Sequence, residues 1–192
     1  MAKNVLVLAS GGIDSTACIR YYIQRGFLVQ ILHVDYGQRP FEPERAALKS
    51  VCDYFNLDYR FLTMRGIRWS LRHSDEIVGR NLFLAAIGLA AFQANSGLVA
   101  MGIHSGNDYA DCSVGFQNQL RLIAKMSSRY LIDFDFPFGK WLKHEIIDFC
   151  RSNEIPVWLT YSCVRSESDP CGKCDSCLER REYVDKWGNL YG

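Results

Sequence analysis

The sequence predicts an α/β protein: an open parallel sheet with helices on both faces, carrying a small cysteine-rich segment towards its C-terminal end. Three observations support this. Apolar runs of strand length alternate with stretches of helical period from Val5 to Glu154. The first run leads through a Gly11-Gly12 pair straight into a helix, the strand–turn–helix order of a parallel sheet. After Cys163 the apolar rhythm gives way to cysteines and charges.

Each element follows from its own pattern. Val5 to Leu8 is a continuous apolar run, as in a strand buried on both faces. Asp14 to Gly26 reads as a helix, with Asp14 or Ser15 able to cap it and Gly26 suited to its end. Phe27 to Val34 is a second strand. Glu42 to Asn56 is a helix with Ala47, Val51 and Phe55 on one face, and Asp58 to Met64 a third strand. Asn81 to Ala94 is a helix apolar almost all round, which predicts burial. Gly97 to Ile103 and Tyr130 to Phe136 read as strands; Phe116 to Met126 and Lys143 to Glu154 read as helices. The expected division is an α/β domain over 1–160 with a metal-binding segment, 161–192, packed on it.

The bulk composition excludes several classes. The chain has 192 residues, 48% of them hydrophobic, and 22 Lys and Arg nearly balance 21 Asp and Glu. Such a chain buries a real core, is not disordered, and carries no net charge that demands nucleic acid or an anionic membrane. The longest apolar stretch, Leu82 to Phe92, falls short of the roughly 20 residues that cross a bilayer. The expectation is a cytoplasmic protein with no membrane partner.

The stretch Ser10-Gly-Gly-Ile-Asp-Ser15 sits where a doubly wound sheet binds ligands, at the carboxyl end of a strand. Gly11 and Gly12 let the backbone approach an anion, and the following helix turns free N–H groups and its positive end to the same point. Ser10 and Ser15 add hydroxyls, and Asp14 can hold Mg²⁺. There is no lysine for a Walker A loop and no G-x-G-x-x-G spacing. The stretch instead resembles the SGGxDS loop of the ATP pyrophosphatase superfamily (PP-loop, adenine nucleotide alpha hydrolase-like). That resemblance implies ATP, broken between its α- and β-phosphates. It also implies that Leu8, Ala9, Ser10, Gly11, Gly12, Ile13, Asp14, Ser15, Thr16, Ala17 and Cys18 form the nucleotide loop and its flanks.

Of eight cysteines, Cys18, Cys52, Cys112 and Cys150 are scattered, while Cys163, Cys171, Cys174 and Cys177 form C-x7-C-x2-C-x2-C. Without a secretory signal, such a cluster reads as metal ligands rather than disulfides. Four thiolates around one tetrahedral centre describe structural Zn²⁺; an iron–sulfur cluster uses similar spacing and is the alternative.

With both motifs placed, the chain resembles the 7-cyano-7-deazaguanine synthases over nearly its whole length. The likeness runs through Tyr36-Gly-Gln-Arg39, Val78-Gly-Arg-Asn81, the loop from Gly102 to Asp111-Cys112, Pro137 with Lys143 and Glu145, and Ser162, the four cysteines and Arg180. The resemblance implies that ATP, 7-carboxy-7-deazaguanine and ammonia become the nitrile through two adenylations, with a homodimer as the family's habit. It implies Asp14, Ser15, Arg39 and Lys143 as catalytic residues. It further implies Gln38, Arg80, Asn81, His104, Asp108 and Asp111 around the deazaguanine. The segment Arg65 to Ile77 and the loop Gly102 to Phe116 are shorter than the family's. The alternative is therefore a paralogue that hands the activated deazaguanine carboxylate to an amine of a protein or nucleic acid. A second is a related amidating or tRNA-thiolating enzyme, with Cys112 on a site loop as its nucleophile. A non-enzymatic zinc ribbon fits poorly, because Glu167, Asp169, Asp175 and Glu179 leave the cysteine segment mixed in charge.

Overall fold

The computed structural model describes residues 3–67, 69, 76–106, 109–129 and 131–184. Its centre is a five-stranded, all-parallel sheet in the order β3-β2-β1-β4-β5, formed by β1 (Asn4–Leu8), β2 (Leu28–Asp35), β3 (Tyr59–Thr63), β4 (Gly97–Met101) and β5 (Ile132–Asp135). The helices are α1 (Ile13–Ile23), α2 (Phe41–Phe55), α3 (Arg80–Ala91), α4 (Val114–Ser127), α5 (Lys143–Ser152) and α6 (Asp175–Val184). The order reverses between β1 and β4, which opens a crevice at their carboxyl ends.

β1 shows why the run Val5–Leu8 is apolar at every position. Val5 and Val7 pack with Ile19 of α1, Leu48 and Val51 of α2, and Ile146 of α5, on one face. Leu6 points to the other face, towards Leu32, Val34 and the α3 residues Phe83 and Ile87. All three β1 side chains are fully buried, each worth about 1.5–3 kcal/mol relative to exposure. A second core lies under α3 and α4, where Ala85, Leu120 and Ala124 meet Val99, Met101, Phe134 and Phe136.

Three sequence expectations shift. α1 is preceded by Gly12 as N-cap, with no side-chain cap, so neither Asp14 nor Ser15 performs that role; both already lie inside the first turn. α3 spans Arg80–Ala91 and is not buried all round: Asn81, Ala85 and Gly88 face inward, while Leu82 is 48% exposed. Its outer flank and α4 border an apolar groove of about 350 Å³, lined by Leu82, Ala86, Leu89, Leu120, Ile123 and Phe134 among others. None of the expected site residues among those described lines it. Strands β4 and β5 are also shorter than the apolar runs, and Tyr130, which opened the β5 run, lies outside the described residues. No helix among the described residues is long and apolar enough to cross a membrane.

Candidate active site and metal centre

The loop from Ser10 to Ser15 closes the carboxyl end of β1. Gly11 has φ 81°, and a Cβ there would lie 2.6 Å from the Glu44 carbonyl oxygen and 2.7 Å from the Leu48 nitrogen. Only glycine lets α2 pack this closely on the loop. Ser10 is exposed, and its hydroxyl accepts from the Gly12 N–H at 3.3 Å. The Ser15 and Thr16 hydroxyls donate to the Gly12 carbonyl at 3.0 and 2.9 Å, which fixes the turn from inside. With no side-chain cap, the first N–H groups of α1 are left for another acceptor. Leu8 is partly buried, whereas Ala9, Ile13, Ala17 and Cys18 belong to the core, so within this stretch those four side chains support the loop rather than face outward.

Above the loop three elements converge. Lys143, first residue of α5, donates from Nζ to both Asp14 carboxylate oxygens at 2.8 and 2.9 Å. The same ammonium lies 3.2 Å from Glu179 of α6. His104, just beyond β4, has Nε2 3.9 Å from Asp14, and its Nδ1 accepts from the Gly106 N–H at 3.0 Å. Burial opposes the charge on Lys143, but Asp14 and Glu179 outweigh it and hold its pKa above the usual lysine value. Burial lowers that of His104, with the Lys143 charge helping and Asp14 opposing. Asp14 is a hard oxygen donor, partly exposed beside a loop suited to phosphate, and so fits Mg²⁺ shared with phosphate oxygens.

A second cluster stands at the carboxyl end of β2. Gln38 donates from Nε2 to Glu44 at 3.0 Å and to the Val34 carbonyl at 3.2 Å, and its Oε1 accepts from the Tyr36 N–H. The Arg80 charge lies within electrostatic range of the Tyr36 hydroxyl and of Glu44. Arg39 is exposed and shares none of these contacts. At the start of α3, Asn81 donates its backbone N–H to Asp111 Oδ2 at 3.0 Å. Its side-chain amide reaches the Asp111 carbonyl and, at 3.4 Å, the Cys112 sulfur. One Asp111 oxygen therefore serves α3, and Cys112 is buried behind it, 6% exposed. Asp108 lies outside the described residues.

The four clustered cysteines meet as the spacing predicts: one ligand atom from each of Cys163, Cys171, Cys174 and Cys177 lies within 4.8 Å of the others. Burial works against ionising Cys163, yet backbone N–H groups of Cys171, Arg165 and Ser166 aimed at its sulfur lower its pKa. Such N–H···S contacts suit a bound thiolate, and four sulfurs, with no other donor grouped with them among the described residues, fit Zn²⁺ or another thiophilic metal. The segment is tied to the main domain by Arg180, which donates to Thr160 Oγ1 at 2.7 Å and to the Val157 carbonyl at 2.8 Å. The Tyr161 N–H also donates to the Gly11 carbonyl at 3.0 Å.

A model of the family described as queuosine biosynthesis protein QueC matches residues 4–75 and 71–188. The chain belongs to the QueC family. The 7-cyano-7-deazaguanine synthase of Campylobacter jejuni strain NCTC 11168 is 31% identical over 215 residues, covering 98% of this chain and 96% of its own. That of strain 81116 is 29% identical with the same coverage. The 7-cyano-7-deazaguanine synthase 2 of Sulfurisphaera tokodaii is 30% identical over 93% of this chain but 45% of its own. Among solved structures, a 4-thiouridine synthetase in an RNA complex with bound ATP has a TM-score of 0.54 at 14% identity, over 95% of this chain and 51% of that one. The U34-tRNA thiolase NcsA of Methanococcus maripaludis has 0.53 at 15%, over 96% and 66%. The resemblance read from the motifs thus holds, and the fold is that of the PP-loop proteins.

In this QueC-family chain, two acidic residues join the clusters that the motifs did not reveal. Glu44 lies in α2 beyond the Tyr36–Arg39 segment; only the spacing of α2 onto Gly11 brings it there. Glu179 sits among the mixed charges of α6 and reads locally as solvated surface. No local signal marks it, because its contact depends on how α6 docks.

Proposed function

We propose that the chain is an ATP-dependent carbon–nitrogen ligase that converts 7-carboxy-7-deazaguanine and ammonia to 7-cyano-7-deazaguanine. One observation carries the reading. In a chain matched to QueC along its length, Asp14 and Lys143, 129 residues apart in sequence, meet over an uncapped glycine loop at the crevice between β1 and β4.

The chemistry runs in two rounds. In the first, a carboxylate oxygen of the deazaguanine attacks the α-phosphorus of ATP and pyrophosphate leaves. Ammonia then attacks the acyl carbon, AMP departs with the electron pair of the C–O bond, and one proton is lost, giving the amide. In the second, the amide oxygen attacks a second ATP, pyrophosphate leaves and a proton is released. Expulsion of AMP with a further proton from nitrogen forms the nitrile. Each round needs a stabilised pyrophosphate, and the α1 N–H groups, the Ser10 hydroxyl and Lys143 supply donors for it, while Ser15 holds the turn through the Gly12 carbonyl. Mg²⁺, held by Asp14, supplies charge neutralisation at the leaving phosphates. Arg80, Gln38 and Asn81 are assigned to the deazaguanine side of the crevice, with His104 and Asp111 at its β4 edge.

The test is mass spectrometry of products from 7-carboxy-7-deazaguanine and ATP, with and without ammonium. Amide followed by nitrile, with AMP and pyrophosphate, is expected only with ammonium. AMP release that yields neither product would overturn the reading. Asp14→Ala should abolish AMP formation in every case.

A further inference from the structure

Lys143 is held by two carboxylates from different parts of the chain, and the two are not equivalent. Asp14 belongs to the loop and takes both short contacts, 2.8 and 2.9 Å; Glu179 comes from the cysteine segment and takes the longer one, 3.2 Å. The Lys143 side chain is 11% exposed, so its ammonium depends on these partners rather than on water. A carboxylate that must bind a cation cannot at the same time satisfy a buried ammonium in full. When Asp14 turns to a cation, Lys143 needs a second anion, and Glu179 is already in contact with it.

We propose that Glu179 is a positioning residue that competes with Asp14 for Lys143 and so keeps the Asp14 carboxylate available to the nucleotide-bound divalent cation. The proposal rests on the nucleotide reading above. Two effects point the same way. Glu179 shares the ammonium and weakens its grip on Asp14. It also leaves the Asp14–Lys143–Glu179 group with one net negative charge, which attracts a cation. Because α6 follows directly on Cys174 and contains Cys177, a metal-loaded four-cysteine centre fixes the helix that presents Glu179. The cysteine segment thereby reaches the catalytic crevice through one side chain.

The experiment measures Mn²⁺ binding by electron paramagnetic resonance to the full chain with α,β-methylene-ATP, which cannot be cleaved at the α–β bond. Glu179→Gln should weaken Mn²⁺ binding about fivefold, the upper range for a partly exposed ion pair. Its melting temperature and its content of cysteine-bound metal should match the parent. Excess Mg²⁺ should restore its AMP-forming rate, which a fault in packing would not allow, and Glu179→Asp should recover part of the affinity. In a Lys143→Met background the Glu179→Gln change should alter Mn²⁺ affinity by clearly less than in the parent, because only the direct charge effect remains. Equal affinity in parent and Glu179→Gln, or an undiminished effect without Lys143, would overturn the proposal alone. A parent that binds no Mn²⁺ with the analogue would overturn the nucleotide reading with it.

Discussion

At Glu44, burial pushes the carboxyl up to about 7, against the opposing effects of the Gln38 hydrogen bond and the Arg80 charge. The folded chain therefore holds a proton that the unfolded chain releases near its ordinary value of 4.5. Between those two pH values the native state binds more protons, so this group's contribution to stability falls as pH rises through the window and is flat above it. Glu44→Gln should melt with the parent near pH 4 and above it by several degrees at pH 8, as calorimetry at the two pH values would show. A constant offset across the range would contradict the assignment. The residue scale is also where the sequence is least informative. Asp14 and Lys143 can be named from motifs, but that they are partners cannot, since 129 residues separate them. Glu44 and Glu179 carry no local mark at all, because a carboxylate on a helix surface looks the same whether or not another element covers it.

At the scale of elements, the contact of α2 with the glycine loop is the most demanding junction. Gly11→Ala would put a methyl group 2.6 Å from one backbone atom and 2.7 Å from another, at positive φ. Backbone cannot swing aside as a side chain can, so the change should cost about 3 kcal/mol or more and displace α2 from the loop. Urea unfolding would read the loss, and a change below about 0.5 kcal/mol would refute the close packing. Strand and helix order is legible here because buried parallel strands are apolar at every position, as Val5, Leu6 and Val7 are. Element ends are less so. α1 takes Gly12 as N-cap although Asp14 and Ser15 are the better capping residues, since the loop needs its amides open. The sequence makes α3 look wholly buried because composition does not reveal that one flank faces a groove instead of a neighbour.

For the molecule as a whole, the described part of the cysteine segment has a small core of its own, made of its sulfurs and Tyr161. Stripping the metal with a chelator should lower the melting temperature by about 5–10 °C and make the four clustered cysteines reactive to alkylation. Cys18, Cys52 and Cys150 sit in the main core and should stay protected until the chain melts. Mass spectrometry of the alkylated protein would show which sulfurs react, and unchanged reactivity would argue against a bound metal. The cysteine spacing announces the cluster, but not that Arg180 ties its segment to Thr160 and Val157, nor that the Tyr161 backbone bonds the Gly11 carbonyl. The placement of β1 has a further consequence, during synthesis. Val5 pairs with Val29 on one side but with Leu98 on the other. At about 5–20 residues per second, the ribosome keeps the second edge of β1 waiting for several seconds after β2 has emerged. Throughout that interval the nascent chain offers its most apolar strand, unpaired along one side, to any other strand nearby. The strand that later carries the glycine loop is thus the one the cell must shield first.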